Sequence, residues 1–239
     1  MKAKPNPRAA IFRRRLTAWF RRAGRDLPWR RTRDPWAIVV SEFMLQQTQV
    51  SRVLGYYPRF LERYPTPHHL ARARPAAVRE AWDGLGYYRR AANLQVLAKV
   101  VVKDHAGRLP HETAALEQLP GVGRYTAGAV ACFAYEKPAA TVDTNVARVL
   151  SRVWGKTGGR ADGQMGGHTR RRADARPRNN LRQLQELALE LQPRAGKAAW
   201  TFNQALMELG ALVCTARNPR CESCPVKKDC DWKARQKQN

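Results

Sequence analysis

The chain alternates between apolar stretches with helical spacing and short segments rich in Pro and Gly. Within residues 8–23, Phe12, Leu16 and Trp19 fall on one helical face, and Gly24 follows as a stop. The same spacing predicts further helices over 37–45, 50–64, 76–83, 89–105, 112–119, 126–134, 145–153, 181–191 and 199–213. The alternating pattern of a β-strand is nearly absent. The sequence therefore predicts an all-α fold of short helices rather than a coiled coil.

One segment breaks this rhythm. Residues 157–180 contain five Gly and six Arg, and Met165 is their only large apolar residue. Such a segment cannot bury a core of its own. We therefore expect a disordered basic insertion at this point of the chain.

The charge is strongly positive. The chain has 239 residues, with 44 Lys and Arg against 19 Asp and Glu, for a net charge of +25. Most of this excess lies in residues 1–33, 157–182 and 214–239, so basic segments flank a nearly balanced body. A partner that is a polyanion is indicated, either nucleic acid or an anionic membrane surface.

The sequence contains neither a membrane-spanning run nor a signal peptide. No stretch approaches the roughly 18 consecutive apolar residues that a membrane span needs, and the first seven residues lack an apolar segment. We expect a soluble, intracellular protein of the cytoplasm.

Four of the five cysteines lie close together near the C-terminus. They are Cys214, Cys221, Cys224 and Cys230, with the spacing C-x6-C-x2-C-x5-C. Structural zinc usually takes two short pairs of ligands, and this segment has one such pair and no His nearby. Four thiolates in one short loop favour an iron–sulfur cluster, with zinc as the alternative. Cys132 lies in an apolar helix and is expected to be a small core residue.

A tight glycine turn and an acidic cap follow one another in the middle of the chain. Leu119-Pro120-Gly121-Val122-Gly123 separates two predicted helices, and outward amides at Gly121 and Gly123 would favour an anion such as phosphate. An ordinary helix–helix turn is the alternative. About 20 residues later, Asp143 precedes a predicted helix as its N-cap.

The order of these motifs resembles the helix-hairpin-helix DNA glycosylase superfamily from about Phe12 to Cys230. Three further segments resemble adenine glycosylases of the MutY type: residues 41–50 (SEFMLQQTQV), 84–88 (GLGYY) and 202–207 (FNQALM). The resemblance implies two helical lobes. One comprises 1–33 with 124–239 and holds the [4Fe–4S] loop, and the other comprises 34–123 and ends in the hairpin.

The resemblance also assigns the chemistry. Glu42 matches the general acid that protonates adenine, for which a raised pKa is needed and apolar neighbours are favourable. Asp143 matches the carboxylate that stabilises the sugar cation or attacks it transiently. Tyr125 and Asn145 match residues that orient the two carboxylates. Because Tyr125 stands where bifunctional relatives have a Schiff-base Lys, no β-lyase activity is expected. Thr144 replaces a Gly that is common in the family.

DNA contacts are implied in the same way. Base excision from duplex DNA requires base flipping, and Gln46, Gln47 and Tyr88 match the wedge and the contacts to the opposite base. The hairpin glycines would hold a phosphate with a monovalent cation bound nearby. Candidates for other phosphate contacts are Arg89, Arg90, Arg124 and Arg148.

The expected partner is double-stranded DNA with a mismatched or damaged base, bound by a monomer without a membrane and associated with the nucleoid. The favoured activity is removal of adenine opposite G or oxidised G. Alternatives are a thymine or uracil mismatch glycosylase of the same superfamily and a non-catalytic DNA-binding module. The chain continues for nine residues after Cys230, so we expect it to lack the C-terminal domain with which MutY enzymes recognise oxidised guanine.

Overall fold

The computed structural model describes residues 6–155, 177–194 and 196–236, and of residues 177–180 it describes the backbone. All regular secondary structure in these ranges is helical, which confirms the predicted all-α class. The α-helices are α1 (Pro7–Ala23), α2 (Pro35–Leu45), α3 (Val50–Arg63), α4 (Pro67–Arg72), α5 (Pro75–Ala81), α6 (Arg89–Asp104), α7 (Thr113–Glu117), α8 (Arg124–Phe133), α9 (Thr144–Trp154), α10 (Pro177–Leu191), α11 (Gly196–Leu212) and α12 (Asp231–Gln236). Short 3-10 turns occur at Pro28–Arg30, Cys221–Ser223 and Lys227–Asp229.

Two helices begin where an Asn or Asp precedes a Pro. The side chains of Asn6 and Asp34 each accept hydrogen bonds from two free backbone amides at the starts of α1 and α2. The following Pro needs no amide partner there and already has helical φ. Each such cap contributes about 1 kcal/mol, so the local sequence fixes where these helices start.

The helix predictions differ from the structure mainly in short elements. Helix α4 was not predicted because its six residues hold a single large buried aliphatic side chain, Leu70. The expected disordered insertion over 157–180 falls largely on 157–176, which lie outside the described residues. Its last four residues are a correction to that expectation, since they form the first turn of α10, where Pro177 is tolerated.

The chain forms two compact units. We call Met1–Arg25 with Ala140–Asn239 the terminal unit and Asp26–Ala139 the central unit. The observed units meet after residues 25 and 139, whereas the expected lobes meet after residues 33 and 123. The second hairpin helix, α8, packs against α2 and α7 and therefore groups with the central unit.

The central unit is built around α2. This helix buries nine of its eleven residues and packs against α3, α6 and α8. Trp82, with no exposed surface, meets Phe60 edge-to-face at 5.5 Å between ring centroids. A helix buried on all sides explains the continuous apolar run in the sequence.

The terminal unit has its own core between α1, α9, α10 and α11. Phe12 of α1 is fully buried and meets Trp154 and Phe202 edge-to-face at centroid distances of 5.9 and 6.2 Å. Among the described residues, no helix is both long and apolar enough to cross a membrane.

Candidate functional site

Glu42 lies in the last turns of α2 and is 7% exposed. Its neighbours Ser41, Phe43 and Met44 have 1% or less of their surface exposed. Glu42 is therefore a buried carboxyl and not an ordinary exposed helix carboxylate. Burial is a common environment of carboxyl groups that act as general acids.

The glycine hairpin connects α7 to α8 and lies against the same segment of α2. Gly121 has φ +75°, in the left-handed region, and a Cβ added there would come within 3.2 Å of the Phe43 ring and of Asn93 Cβ. Glycine is thus required for both conformation and close approach. Gly123 precedes α8 and is exposed, with no atom near the position of a Cβ. The central unit therefore holds the hairpin beside the helix of Glu42.

Tyr125 lies in the first turn of α8, just after the hairpin, and is half-buried. The adjacent Arg124 is exposed. A phenol at this position has no amine with which to form an imine. The first turn of α8 therefore presents a polar ring and a cation side by side.

Two loops of the central unit carry exposed side chains on left-handed backbone. Gln47, after α2, has φ +55°, and Tyr87, before α6, has φ +47° with 61% of its surface exposed. Non-glycine residues rarely adopt this conformation, and such residues cluster at functional sites. Gln46 is half-buried and Gln47 exposed.

Tyr88, which the family resemblance matches to a DNA contact, differs from Tyr87 in its environment. Its hydroxyl donates to Asp83 Oδ1 at 2.5 Å, and its ring lies 4.7 Å from the Arg79 guanidinium carbon. The hydrogen bond to Asp83 raises the pKa of Tyr88. The adjacent ring of Tyr87 is the more exposed one, and sequence reasoning missed it because the two residues are identical and adjacent.

The four arginines proposed for phosphate binding divide into two pairs. Arg89 and Arg124 are exposed. Arg90 is 7% exposed and donates to six acceptors of the protein, and Arg148 donates to three. The guanidinium groups of Arg90 and Arg148 thus bind the protein itself, whereas Arg89 and Arg124 are the exposed pair, and phosphate contact stays a prediction for all four.

Asp143 caps α9 in the terminal unit. Its Oδ1 accepts from the Val146 amide at 2.7 Å, and its Oδ2 accepts from Asn145 Nδ2 at 3.3 Å. Each carboxylate oxygen thus has a donor, and the two donors fix the orientation of the carboxylate. Thr144 is exposed beside it.

Arg148 extends this contact toward the cysteine loop. Its Nη2 donates to Asn145 Oδ1 at 2.7 Å and to the Gly210 carbonyl at 2.8 Å, and its Nε donates to the Cys214 carbonyl at 2.7 Å. Burial lowers the pKa of Arg148. The hydrogen bonds form a continuous path from Asp143 to the first cysteine.

The loop before Asp143 is anchored from α11. Thr141 is fully buried, and its hydroxyl donates to Asn203 Oδ1 at 2.9 Å. Asn203 in turn donates to Gln192 Oε1 at 3.0 Å and to the Ala199 carbonyl at 3.1 Å. Asn203 belongs to the 202–207 motif. This motif therefore has a structural role, because it holds the segment that leads to Asp143.

The four C-terminal cysteines line one cavity of about 360 Å³, a volume that includes its open mouth. Its walls also include the apolar Val213, Val226 and Trp232. Burial raises the pKa of Cys224 to about 12 and raises that of Cys230, because it disfavours the charged thiolate. An iron–sulfur cube takes one sulfur per iron, and this donor set fits it. In the described ranges, no group of three or more His, Cys, Asp or Glu side chains lies close enough together to hold one metal ion.

Arg152 lies beside this cavity and was not predicted from the sequence. It is 4% exposed and donates to Cys214 Sγ at 3.5 Å and to the Thr215 carbonyl at 2.7 Å. Its guanidinium carbon lies 4.8 Å from the Trp232 ring centroid. A buried cation at the first cysteine offsets the negative charge of thiolates.

Comparison with known families agrees with this geometry. A family model described as "HhH-GPD superfamily base excision DNA repair protein" matches residues 40–166, and one described as "Iron-sulfur binding domain of endonuclease III" matches residues 214–230. The chain belongs to the HhH-GPD superfamily of base excision DNA repair proteins. Its C-terminal segment is an iron–sulfur binding domain of the endonuclease III type, for which the cofactor is a [4Fe–4S] cluster.

Individual relatives carry two different names. The chain is 47% identical over 218 residues to an adenine DNA glycosylase of Mycobacterium tuberculosis, covering 91% of this chain and 65% of the relative. It is 38% identical to a thymine-DNA glycosylase of Aeropyrum pernix, covering 93% of this chain and 94% of the relative. A solved structure of a thermostable thymine-DNA glycosylase matches 95% of this chain and 97% of its own, with a TM-score of 0.81 and 32% identity.

Proposed function

We propose that this protein is a monofunctional DNA glycosylase that removes adenine mispaired with G or oxidised G. The burial of Glu42 on α2, beside the glycine hairpin, carries the proposal of glycosylase chemistry. The 47% identity to a relative named adenine DNA glycosylase supports the choice of adenine. The chain spans 65% of the length of that relative.

The two carboxyl groups divide the chemistry. Glu42, in its protonated form, gives its proton to adenine N7, and the C1′–N9 bond then breaks with its electron pair going to the base. The Asp143 carboxylate, oriented by its two donors, stabilises the positive sugar. Water adds to C1′ and loses a proton, which leaves an abasic site. With Tyr125 in place of a Lys, the reaction stops there.

The central unit supplies the DNA contacts in this proposal. Gly121 and Gly123 donate amides to a phosphate, with a monovalent cation on the hairpin carbonyls. Gln46 and Gln47 probe the pair that contains the target, and Tyr87, more exposed than Tyr88, stacks on a base. We further propose that the protein acts as a monomer on the double-stranded DNA of the chromosome.

The terminal unit supplies support for Asp143. We propose Cys214, Cys221, Cys224 and Cys230 as the four ligands of the cluster. When bound, the cluster cross-links the loop that carries them and neutralises part of its thiolate charge. Through Arg148 and Asn145, an ordered loop favours one orientation of the Asp143 carboxylate.

Thymine or uracil excision from T:G and U:G pairs is the second candidate. It is favoured by the thymine-DNA glycosylase of which 94% is covered by this chain. Against it, the Gln46 to Gln49 run and the GLGYY motif resemble the adenine enzymes. Both candidates use the same carboxyl groups, so they differ in the base that is bound.

A panel of duplexes tests the proposal. The protein is incubated with A:oxidised-G, A:G, T:G, U:G and fully paired duplexes, and strand breakage is compared with and without alkali. Breakage at adenine that appears after alkali supports the proposal. Release of thymine or uracil supports the second candidate, breakage without alkali contradicts the role of Tyr125, and no release from any duplex contradicts a glycosylase.

A further inference from the structure

Arg90 is a buried cation at the junction of three segments of the central unit. Its Nη1 donates to the carbonyls of Phe43 and Met44 at 3.0 and 2.8 Å. These are among the last carbonyls of α2, which have no partner within the helix. A cation at a helix C-terminus also interacts favourably with the helix dipole. Arg90 therefore closes the end of the helix that carries Glu42.

The same guanidinium binds the loop that follows α2, residues 46–49, which we call the glutamine loop. Nη1 donates to the Gln46 carbonyl at 2.5 Å, and Nη2 donates to Thr48 Oγ1 at 2.9 Å. These two contacts lie on either side of Gln47, whose backbone is left-handed. Arg90 thus fixes both ends of the strained position.

It also binds residues 83–88, which we call the tyrosine loop. Nη2 donates to the carbonyls of Leu85 and Gly86 at 3.3 and 3.1 Å. The guanidinium carbon lies 5.3 Å from the centroid of Tyr87, the exposed ring with left-handed backbone, and 5.6 Å from that of Trp82. One planar group therefore contacts residues on both sides of Gln47, the backbone that precedes Tyr87 and the ring of Tyr87.

We propose that Arg90 is a positioning residue that fixes the spacing between the glutamine loop and the tyrosine loop, so that Gln47 and Tyr87 act together on one base pair. The proposal rests on the proposed function. It explains how the two loops that contact DNA in that function are held together. Arg90 does not touch the reacting atoms. It acts through the backbone of the two loops.

Lysine is the informative replacement because it keeps the charge and loses the geometry. An ammonium is a point charge on a flexible stem, whereas the guanidinium is a rigid planar fork with several donors. The ammonium could satisfy the end of α2 but could not span both loops. Arg90→Lys should therefore uncouple the loops while leaving the core of the unit intact.

The first test needs no DNA. Amide hydrogen exchange is measured in the free protein for wild type, Arg90→Lys and Thr48→Val, with Arg59→Lys as a matched control on an exposed arginine of α3. Arg90→Lys should speed exchange about tenfold or more in both loops, as expected for local opening. Thr48→Val removes one Arg90 contact and should speed exchange in both loops to a smaller extent. Arg59→Lys should change neither loop.

The second test uses the reaction. Arg90→Lys should slow adenine excision from an A:G pair roughly 10- to 100-fold, the loss typical of misplaced groups. It should slow excision of an adenine opposite an abasic site, which is already unpaired, no more than about threefold, because little probing of a pair is needed there.

Unchanged exchange in both loops in Arg90→Lys would overturn the proposal, as would equal slowing on the two substrates. If Arg90→Lys does not fold, Thr48→Val decides: faster exchange in both loops supports the coupling, and a change confined to the glutamine loop overturns it. If wild type releases no adenine, the proposed function fails while the exchange experiment still tests Arg90.

Discussion

The Nε of Arg148 donates to the carbonyl oxygen of Cys214 at 2.7 Å, within the terminal unit. The same guanidinium donates to Asn145, which donates to Asp143. The first cysteine of the iron–sulfur segment and the Asp143 carboxylate are therefore three hydrogen bonds apart. This hydrogen-bonded route connects the cysteine segment to the orientation of the Asp143 carboxylate.

Replacing Arg148 with Lys tests this route. One ammonium cannot reach Cys214, Gly210 and Asn145 together, so the Asp143 carboxylate should lose its fixed orientation. We expect a roughly 10- to 100-fold slower single-turnover excision with duplex affinity within about threefold of wild type. Arg182→Lys, on an exposed helical ion pair, should match wild type. Full excision by Arg148→Lys would contradict the route.

Gly210 permits the close approach of α11 to α9. A Cβ at this position would lie 2.7 Å from Asn145 Cβ and 3.1 Å from the Asn145 carbonyl group. Gly210→Ala should therefore lower the free energy of unfolding by about 1–3 kcal/mol, measured by denaturant unfolding, and slow excision by displacing Asn145.

Gly55→Ala is the matched control for that change. Gly55 is an exposed helical glycine, and the nearest atom to an added Cβ is Arg59 Nη2 at 4.0 Å. Alanine there should raise the free energy of unfolding by about 0.4–1 kcal/mol. Equal effects of the two substitutions would show that the contact between Gly210 and Asn145 is not limiting.

Sequence patterns predict most of the helices and the type of site. They do not predict the features that depend on tertiary contacts. Helix α2 was predicted because its apolar run is long, and Glu42 was chosen on its motif. The roles of Arg90 and Arg148 could not be predicted, because their acceptors are mostly backbone carbonyls, which carry no sequence signal. Tyr87 and Tyr88 are indistinguishable as letters, and the bond from Tyr88 to Asp83 separates them.

The two tyrosines provide a direct comparison. Tyr87→Ala removes an exposed ring, and loss of base stacking should weaken binding to mismatched DNA by about 1–3 kcal/mol. Tyr88→Phe removes the hydrogen bond to Asp83 and keeps the ring, so affinity should change less than about threefold. Titration of a fluorescent A:G duplex measures both. A larger effect of Tyr88→Phe than of Tyr87→Ala would contradict the stacking role proposed for Tyr87.

The cysteines also form a matched pair of substitutions. Cys224→Ala removes one proposed ligand, and we expect loss of iron and of visible absorbance, with a lower Tm, because metal binding and folding are coupled. Cys132→Ala changes a fully buried residue of α8 in the central unit. It should keep wild-type iron content. Full iron content in Cys224→Ala would contradict the ligand assignment.

Single-turnover release of adenine from an A:G duplex, measured for wild type, Glu42→Gln and Asp143→Asn, tests the central claim most directly. Each change keeps the shape of the side chain and removes the acid or the charge on which the reaction depends. The account predicts that excision falls at least about 100-fold in both variants, a typical contribution of such groups, while duplex affinity is retained. Excision at the wild-type rate by either variant would contradict the division of the chemistry between Glu42 and Asp143.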